Sequence, residues 1–205
     1  MSSRLSDVHR GSEGIRERML AEAEQLVIAG GGANLGLREV ARRAGVSHAA
    51  PGHVFGGKRG LLTAVATTAF VRFGEHLVQR ASVADTALDR LAASGIAYVE
   101  FATANWALFE FMFRTDLIEA TDPGYVAAAA RSYAVLAEAV SAAQADGWSA
   151  DRDPDELIHL CWALAHGLAG LSALPGLDTD PAEAAAHRPP SVDTLIWSQL
   201  SALGR

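Results

Sequence analysis

Cysteine and lysine are almost missing from this chain of 205 residues, which contains one of each, Cys161 and Lys58. A single cysteine permits no disulfide within the chain and no thiolate metal cluster, which suits a reducing compartment. We therefore expect Cys161 to fill space in the core.

Long apolar runs are missing as well. The sequence contains no stretch of about 18 uncharged apolar residues, the length that can span a bilayer. Its first residues show no apolar run typical of a signal peptide. We expect a cytoplasmic protein with no membrane partner. Only 7 prolines and a hydrophobic fraction of 50% leave room for a large core, which excludes extensive disorder.

Strand-like alternation of apolar and polar residues occurs nowhere, whereas apolar residues recur at three- and four-residue steps. This pattern predicts an all-α fold of about nine helices. The predicted helices cover residues 13–28, 37–44, a short segment after Ser47, 58–80, 85–104, 105–120, 124–145, 154–174 and 191–203. Residues 175–190 are polar and bounded by prolines, which predicts a mobile loop.

Residues 37–62 carry the most specific local pattern, two short helices joined by a turn of about three residues. Gly45 suits a left-handed turn, Ser47 suits a helix cap, and Val46 supplies an apolar plug. This is the spacing of a helix-turn-helix, whose second helix can enter a major groove. The alternative is a pair of ordinary short helices within a bundle.

Charge favours the DNA-binding interpretation. The net charge of the chain is −7, yet residues 1–62 contain nine Arg/Lys against six Asp/Glu, while residues 63–205 contain eight against eighteen. Only the first part has a net positive charge that would attract phosphate.

The turn and the residues after it resemble the TetR family of regulators, in which an Ala-Gly-Val-Ser turn precedes a short recognition helix, an aromatic residue and a Lys-x-x-Leu-Leu segment. The matching residues are Ala44, Gly45, Val46, Ser47, Phe55, Lys58, Leu61 and Leu62. The resemblance implies phosphate contacts by Arg38, Arg42 and Lys58. It also implies a base-reading surface around Ser47, His48, Gly52 and His53. Physical chemistry supports Lys58, because a helix that begins there offers free N–H groups to the same anion.

The chain departs from the family pattern in the recognition helix. Gly52 stands where the family has a tyrosine, Val54 where it often has histidine or an aromatic, and Gly36 where a capping Ser/Thr is usual. Pro51 is expected at about the fourth helical position, where it removes a hydrogen bond, and Gly52 weakens the helix further. These departures predict a short, poorly formed helix in the free protein.

Two segments of the C-terminal part resemble one ligand-binding subgroup of the same family. They are the Trp-His-Gly signature formed by Trp162, His166 and Gly167, and the aromatic stretch of residues 106–113. We predict a pocket for a small apolar or amphipathic ligand, because flexible and aromatic side chains often line adaptable cavities. Its residues are Phe73, Phe101, Trp106, Phe109, Met112, Phe113, Trp162 and His166. The alternatives are an ordinary aromatic core and a histidine bonded to a neighbouring carbonyl.

Wide apolar stripes on helices 154–174 and 191–203 predict a homodimer that pairs these helices. Two recognition helices would then read a palindromic operator in double-stranded DNA, and a ligand that favours another spacing would release it. We expect a flexible arm over residues 1–12, a DNA-binding domain over 13–57, and a ligand-binding and dimerisation domain over 58–205 that begins with a connecting helix, 58–80.

Motifs of catalysis and of metal binding are not found in the sequence, so we predict neither an enzyme nor a metal or cofactor site. His159 and His166 are seven residues apart, a wider spacing than that of the histidine pairs in zinc sites. Two alternatives stay open. One is a degenerate sensor that binds a small molecule and little DNA, and the other is a cofactor-free helical enzyme that uses His166 as a base.

Overall fold

The computed structural model describes the backbone of residues 2–174 and 190–204, and side chains from residue 13 onward. These residues form nine α-helices, one turn of 3-10 helix at Gly32–Asn34, and no strand. The helices are α1 (Ser2–Gly30), α2 (Leu37–Arg43), α3 (Ala50–Phe55), α4 (Lys58–Ala81), α5 (Ala87–Ala104), α6 (Trp106–Met112), α7 (Pro123–Ala145), α8 (Pro154–Ser172) and α9 (Val192–Leu203). The predicted all-α class is confirmed.

Several predicted boundaries need comment. Helix α1 begins at Ser2, so its backbone already includes residues for which the sequence predicts a flexible arm. The predicted loop at 175–190 lies outside the described residues except for Pro190. The functional boundaries at residues 12 and 57 stay predictions.

The chain divides into two compact units. Unit 1 comprises Met1–Val71 and Ala107–Ala129, and unit 2 comprises Arg72–Trp106 and Ala130–Arg205. Helices α4 and α7 each contribute residues to both units.

The core of unit 1 forms where α1, α2 and the first part of α4 bury their apolar stripes. On α1 the buried residues follow a helical period, with Met19 and Ala23 fully inaccessible to solvent. The small side chain of Ala41 is likewise fully buried on α2, and α2 packs against both α1 and α3. Leu61, Leu62 and Val65 continue this core on α4. The short helices α2 and α3 therefore gain their stability from tertiary packing.

The core of unit 2 forms where α5 packs against α8 and α9. Thr86 caps α5 through a reciprocal pair of bonds with Asp89, and Asp153 caps α8. The indole N–H of Trp148 donates to the carbonyl of Leu200 at 2.9 Å, which ties the turn after α7 to α9. Local capping thus defines where α5 and α8 begin, and the bond of Trp148 helps to hold α9 in place.

The helix predicted for residues 105–120 is wrong in length, since α6 ends at Met112. Beyond it the guanidinium of Arg114 forms paired bonds with the carboxylate of Asp116, at 2.8 Å each. The hydroxyl of Thr63 on α4 accepts the backbone N–H of Glu119 at 2.9 Å. These hydrogen bonds give polar groups of residues 114–119 partners outside a helix. The spacing of apolar residues, from which the helix was predicted, does not reveal such bonds.

Helix α7 is the one described helix whose length and composition would allow it to cross a membrane, and 28% of its most apolar window is buried. Core helices of soluble proteins meet the same criterion, so this observation is weak evidence for a membrane span.

Two glycines, Gly52 on α3 and Gly60 on α4, provide a matched test of the packing in unit 1. A Cβ on Gly60 would lie 1.9 Å from the carbonyl oxygen of Phe55, whereas a Cβ on Gly52 would meet no atom within 4 Å. We expect Gly60→Ala to lower the free energy of unfolding by about 2 kcal/mol through overpacking. Gly52→Ala should raise it by up to about 1 kcal/mol through helix propensity. Urea unfolding followed by circular dichroism measures both, and equal effects of the two substitutions would contradict the packing described.

Candidate functional site

The turn between α2 and α3 has the geometry of a helix-turn-helix. Gly45 adopts φ +67°, a left-handed conformation that favours glycine. The backbone N–H of Val46 donates to the carbonyl of Ala41 at 3.0 Å, which closes the end of α2. The predicted role of Gly45 is confirmed.

The start of the recognition helix differs from the prediction. Helix α3 begins at Ala50, its N-cap is Ala49, and no side chain caps it, so the expected cap by Ser47 is wrong. Pro51 falls at the second helical position, where its missing N–H costs no intrahelical bond. The helix is nevertheless only 6 residues long, which agrees with the expectation of a short element.

The side chains predicted to read bases lie on the surface. Ser47, His48 and His53 are exposed, as is Gly52. Val54, which replaces a polar or aromatic residue of the family pattern, is 40% exposed. The exposed surface of α3 thus offers the imidazole of His53, the turn before it offers that of His48, and few other hydrogen-bonding groups lie beside them.

The arginines of α2 differ from one another in their surroundings. Within the described part of the chain, Arg38 is exposed and makes no hydrogen bond or ion pair. Arg42 forms paired bonds with Glu39 at 2.8 and 2.6 Å, and Arg43 bonds the same carboxylate at 2.7 Å. Arg38 is therefore directly available to a phosphate, whereas Arg42 must share its guanidinium with Glu39.

Lys58 is also engaged. Its Nζ donates to the carbonyl of Ala33 at 2.7 Å, so the ammonium ties the start of α4 to the turn after α1.

Two further contacts of basic residues in unit 1 were not anticipated, because their partners are distant in sequence. The guanidinium of Arg16 lies 5.3 Å from the ring centroid of Phe55, within the range of a cation–π interaction. Arg18 donates to the carbonyl of Ala44 at 3.4 Å.

Seven of the eight predicted ligand-binding residues, all except Trp106, fall into two aromatic clusters, one in each unit. In unit 1, Phe113 makes edge-to-face contacts with Phe109 and with Phe70, at centroid distances of 5.2 and 5.3 Å. Tyr125 packs on Phe70 at 5.5 Å and donates to the carbonyl of Met112 at 3.1 Å. The structure therefore brings Phe109, Met112 and Phe113 together.

The cluster in unit 2 centres on Tyr98. Its ring lies edge-to-face on Phe73 at 4.9 Å, and Phe73 in turn contacts Phe101 at 5.2 Å. The hydroxyl of Tyr98 lies 2.8 Å from Nδ1 of His166 and accepts the indole N–H of Trp162 at 3.3 Å. This network joins α5 to α8. Trp106, also in unit 2, is half-buried at the start of α6.

The hydroxyl network implies a proton arrangement. Burial raises the pKa of Tyr98 to about 12, against the opposing hydrogen bond from Trp162, so the tyrosine stays protonated at neutral pH. Because the indole N–H can only donate, the tyrosine oxygen accepts from it, and its own proton is best placed to go to Nδ1 of His166. In this arrangement Nδ1 of His166 is the acceptor. One partner of His166 is therefore the hydroxyl of Tyr98.

Two further groups border the cluster in unit 2. Nε2 of His76 is buried without a hydrogen bond within the described residues, and it lies 3.6 Å from the carboxylate of Glu100. Cys161 on α8 is partly buried, and burial raises the pKa of its thiol to about 11. The thiol therefore stays protonated at neutral pH, as expected for a residue that fills space.

Sequence reasoning missed Phe70, Tyr98 and Tyr125 as cluster members. A signal existed for Tyr98, which precedes the predicted pocket residue Phe101 of the same cluster by three positions, whereas Phe70 and Phe73 have the same spacing but lie in different clusters. That spacing places both members of a pair on one helix face. Tyr125 gave no such signal, because its partners are on other helices.

Two protein-family models match the chain. The model described as bacterial regulatory proteins, tetR family, matches residues 19–65, and the model described as Tetracyclin repressor-like, C-terminal domain, matches residues 91–190. The first range contains the helix-turn-helix, and the second contains Tyr98, Trp162 and His166.

Solved structures share the fold along nearly the whole chain. A protein of unknown function from Rhodococcus sp. RHA1 is 30% identical over 93% of this chain and 94% of its own, with a TM-score of 0.75. The TetR family transcriptional regulator PfmR from Thermus thermophilus is 18% identical over 92% and 97%, with a TM-score of 0.63. AibR, solved in complex with isovaleryl coenzyme A and operator DNA, is 17% identical over 93% and 98%, with a TM-score of 0.64. No curated protein matches the chain.

Removing the hydroxyl of Tyr98 tests the network of unit 2. We expect Tyr98→Phe to lower the free energy of unfolding by about 1 kcal/mol, because two hydrogen bonds are lost while solvent can replace them at the α8 partners. The indole N–H resonance of Trp162 should shift in a ¹H–¹⁵N spectrum. Tyr133→Phe is the control, since Tyr133 is 39% exposed and its ring contacts Trp162 without a hydrogen bond. A Trp162 resonance that is the same in Tyr98→Phe and in the parent would refute the network.

Proposed function

The chain belongs to the TetR family of transcriptional regulators, and we propose that it is a repressor. As a homodimer it binds a palindromic operator, and a small apolar or amphipathic ligand releases it. The observation that carries this proposal is the helix-turn-helix of unit 1, in which a left-handed Gly45 orients an exposed recognition surface. The predicted cytoplasmic location and domain boundaries belong to the same proposal.

The proposed contacts divide by chemistry. Arg38, Arg42 and Lys58 neutralise backbone phosphates, while His48 and His53, with Ser47 beside them, face base edges. Gly52 lets the backbone of α3 approach the DNA closely, because no side chain stands there. Lys58 reaches a phosphate only if it exchanges the carbonyl of Ala33 for it. Arg38 needs no such exchange, so it is the contact that a mutation tests most directly.

Replacing Arg38 should weaken DNA binding in a salt-dependent way. For Arg38→Gln on a duplex taken from upstream of the chain's own gene, we expect the slope of log K against log salt to become shallower by about 0.9, the value of one phosphate contact. Fluorescence anisotropy at several salt concentrations measures this slope. Arg131→Gln is the control, because Arg131 is an exposed arginine of unit 2. Equal slopes for the parent and Arg38→Gln would exclude a phosphate contact by Arg38.

The proposed dimer pairs α8 and α9 with those of a second copy. Large apolar side chains stay exposed on α8 and just beyond it, with Leu171 57% and Leu174 54% exposed, and Trp197 of α9 is 36% exposed. A Cβ on Gly167 or Gly170 would meet nothing within 4 Å, so another helix could approach these positions closely. Exposed apolar surface of this kind is typical of a protein interface. Pairing would place two recognition helices about one DNA turn, roughly 34–36 Å, apart.

A charge on the exposed side of α8 should separate the copies. We expect Leu171→Glu to convert the dimer to a monomer in sedimentation velocity and to weaken operator binding at least tenfold, because each half-site then binds alone. Val83→Glu is the matched control, since Val83 is 80% exposed and lies outside α8 and α9. A monomeric Leu171→Glu that retains full operator affinity would rule out recognition by a dimer.

The proposed ligand-binding residues lie in the aromatic clusters described for each unit. The cluster in unit 2 combines the apolar rings of Phe73 and Phe101 with the polar atoms of Tyr98 and His76, a combination suited to an amphipathic molecule. Trp162 and His166 belong to this cluster through Tyr98, which supports the proposed membership in the Trp-His-Gly subgroup. AibR, which has a similar fold, was solved in complex with isovaleryl coenzyme A. For this chain the ligand class remains part of the proposal.

A second function is favoured by one specific observation. The recognition helix presents Gly52 and an exposed Val54 where the family pattern has groups that bind DNA, so the chain could sense a small molecule while binding little DNA. The salt series on the upstream duplex separates the two functions. A repressor binds that duplex at least about a thousandfold more tightly than random DNA, whereas the sensor binds both equally weakly.

A further inference from the structure

Glu39 holds two arginines of α2 at once. Its Oε1 accepts from Nη2 of Arg42 at 2.6 Å and from Nε of Arg43 at 2.7 Å, while its Oε2 accepts from Nε of Arg42 at 2.8 Å. The three residues are one turn apart on one helix, so the arrangement requires no other element. The two cations and the carboxylate together carry one net positive charge.

All three side chains remain accessible. Their exposed fractions are 37% for Glu39, 67% for Arg42 and 40% for Arg43. The hydrogen bonds from Arg42 and Arg43 lower the pKa of Glu39 to about 2. The carboxylate is therefore charged at any pH at which the protein is handled, and it competes permanently with other anions for the same N–H groups.

We propose that Glu39 limits DNA affinity by competing with backbone phosphate for Arg42 and Arg43. Binding affinity for DNA follows the number of phosphates that cations neutralise. With Glu39 in place, Glu39, Arg42 and Arg43 together carry one positive charge and neutralise about one phosphate. Without the carboxylate of Glu39, the two arginines can neutralise two phosphates. The inference rests on the proposed function, because it requires that α2 and α3 face DNA.

The alternative role for Glu39 is to preorganise the arginines. A carboxylate that fixes two guanidinium groups in the orientation needed by phosphate would strengthen binding, and its removal would weaken it. The surroundings favour competition, since the bonds to Glu39 occupy Nε and Nη2 of Arg42, one complete bidentate edge of the guanidinium. A phosphate that requires this edge must displace the carboxylate.

The test is a mutant cycle in which the parent and each variant bind a random DNA duplex of about 20 base pairs. Fluorescence anisotropy measures the binding constant K at salt concentrations from about 50 to about 300 mM. We expect Glu39→Gln to steepen the slope of log K against log salt by about 0.9, which corresponds to about eightfold tighter binding at about 0.1 M salt. Arg42→Gln/Arg43→Gln should bind more weakly than the parent. Adding Glu39→Gln to that double variant should change the affinity less than twofold, because the arginines through which Glu39 acts are gone.

Asp116→Asn supplies the matched control. It removes one negative charge from unit 1 and breaks a similar paired bond, that of Arg114, away from α2, so it should leave the slope unchanged. Circular dichroism of each variant confirms that the helices are intact.

Each outcome has a defined meaning. Weaker binding by Glu39→Gln, an unchanged slope, or an equal gain in the Arg42→Gln/Arg43→Gln background overturns the inference while the proposed DNA-binding function stands. A parent chain that binds no duplex even at the lowest salt concentration overturns the proposed function itself, and the inference with it.

Discussion

The burial of Ala41 between α1 and α3 is the constraint on which the DNA-binding surface depends. This side chain is fully inaccessible to solvent, and α2 contacts both α1 and α3 at close range. A helix of 7 residues and another of 6 residues are too short to be stable alone. Their orientation therefore comes from the shared core with α1 and α4, and from the left-handed Gly45 between them. Every side chain proposed to face DNA is placed by this packing.

The basic residues near this surface are already partly committed to the protein. Arg42 and Arg43 bond Glu39, and Lys58 bonds the carbonyl of Ala33. The proposed binding of these residues to phosphate is consequently an exchange of partners, and its free energy is smaller than that of an unengaged cation. This is consistent with a chain whose net charge is −7 and in which only the first 62 residues have a net positive charge. Strong non-specific attraction to DNA is not expected of such a protein.

The sequence predicts the fold where the deciding interactions are local. The helical periods, the turn at Gly45 and the short recognition helix all depend on residues within a few positions of one another. The bonds of Glu39 are equally local, at three- and four-residue spacing, and could have been predicted. The contacts of Lys58 with Ala33, 25 residues apart, and of Tyr98 with His166, 68 residues apart, could not, because they exist only once the helices have packed. The end of α6 at Met112 was missed in part for the same reason, since the hydroxyl of Thr63 accepts the backbone N–H of Glu119, 56 residues away in sequence.

Hydroxyl-radical footprinting of the intact chain on the duplex upstream of its own gene tests most directly whether unit 1 docks on DNA as a symmetric pair. Two copies held by α8 and α9 should protect two patches of the sugar-phosphate backbone whose centres lie about 10 base pairs, one helical turn, apart. The protection should disappear as the salt concentration rises. A cleavage pattern that is identical with and without protein at low salt would contradict the DNA-binding assignment.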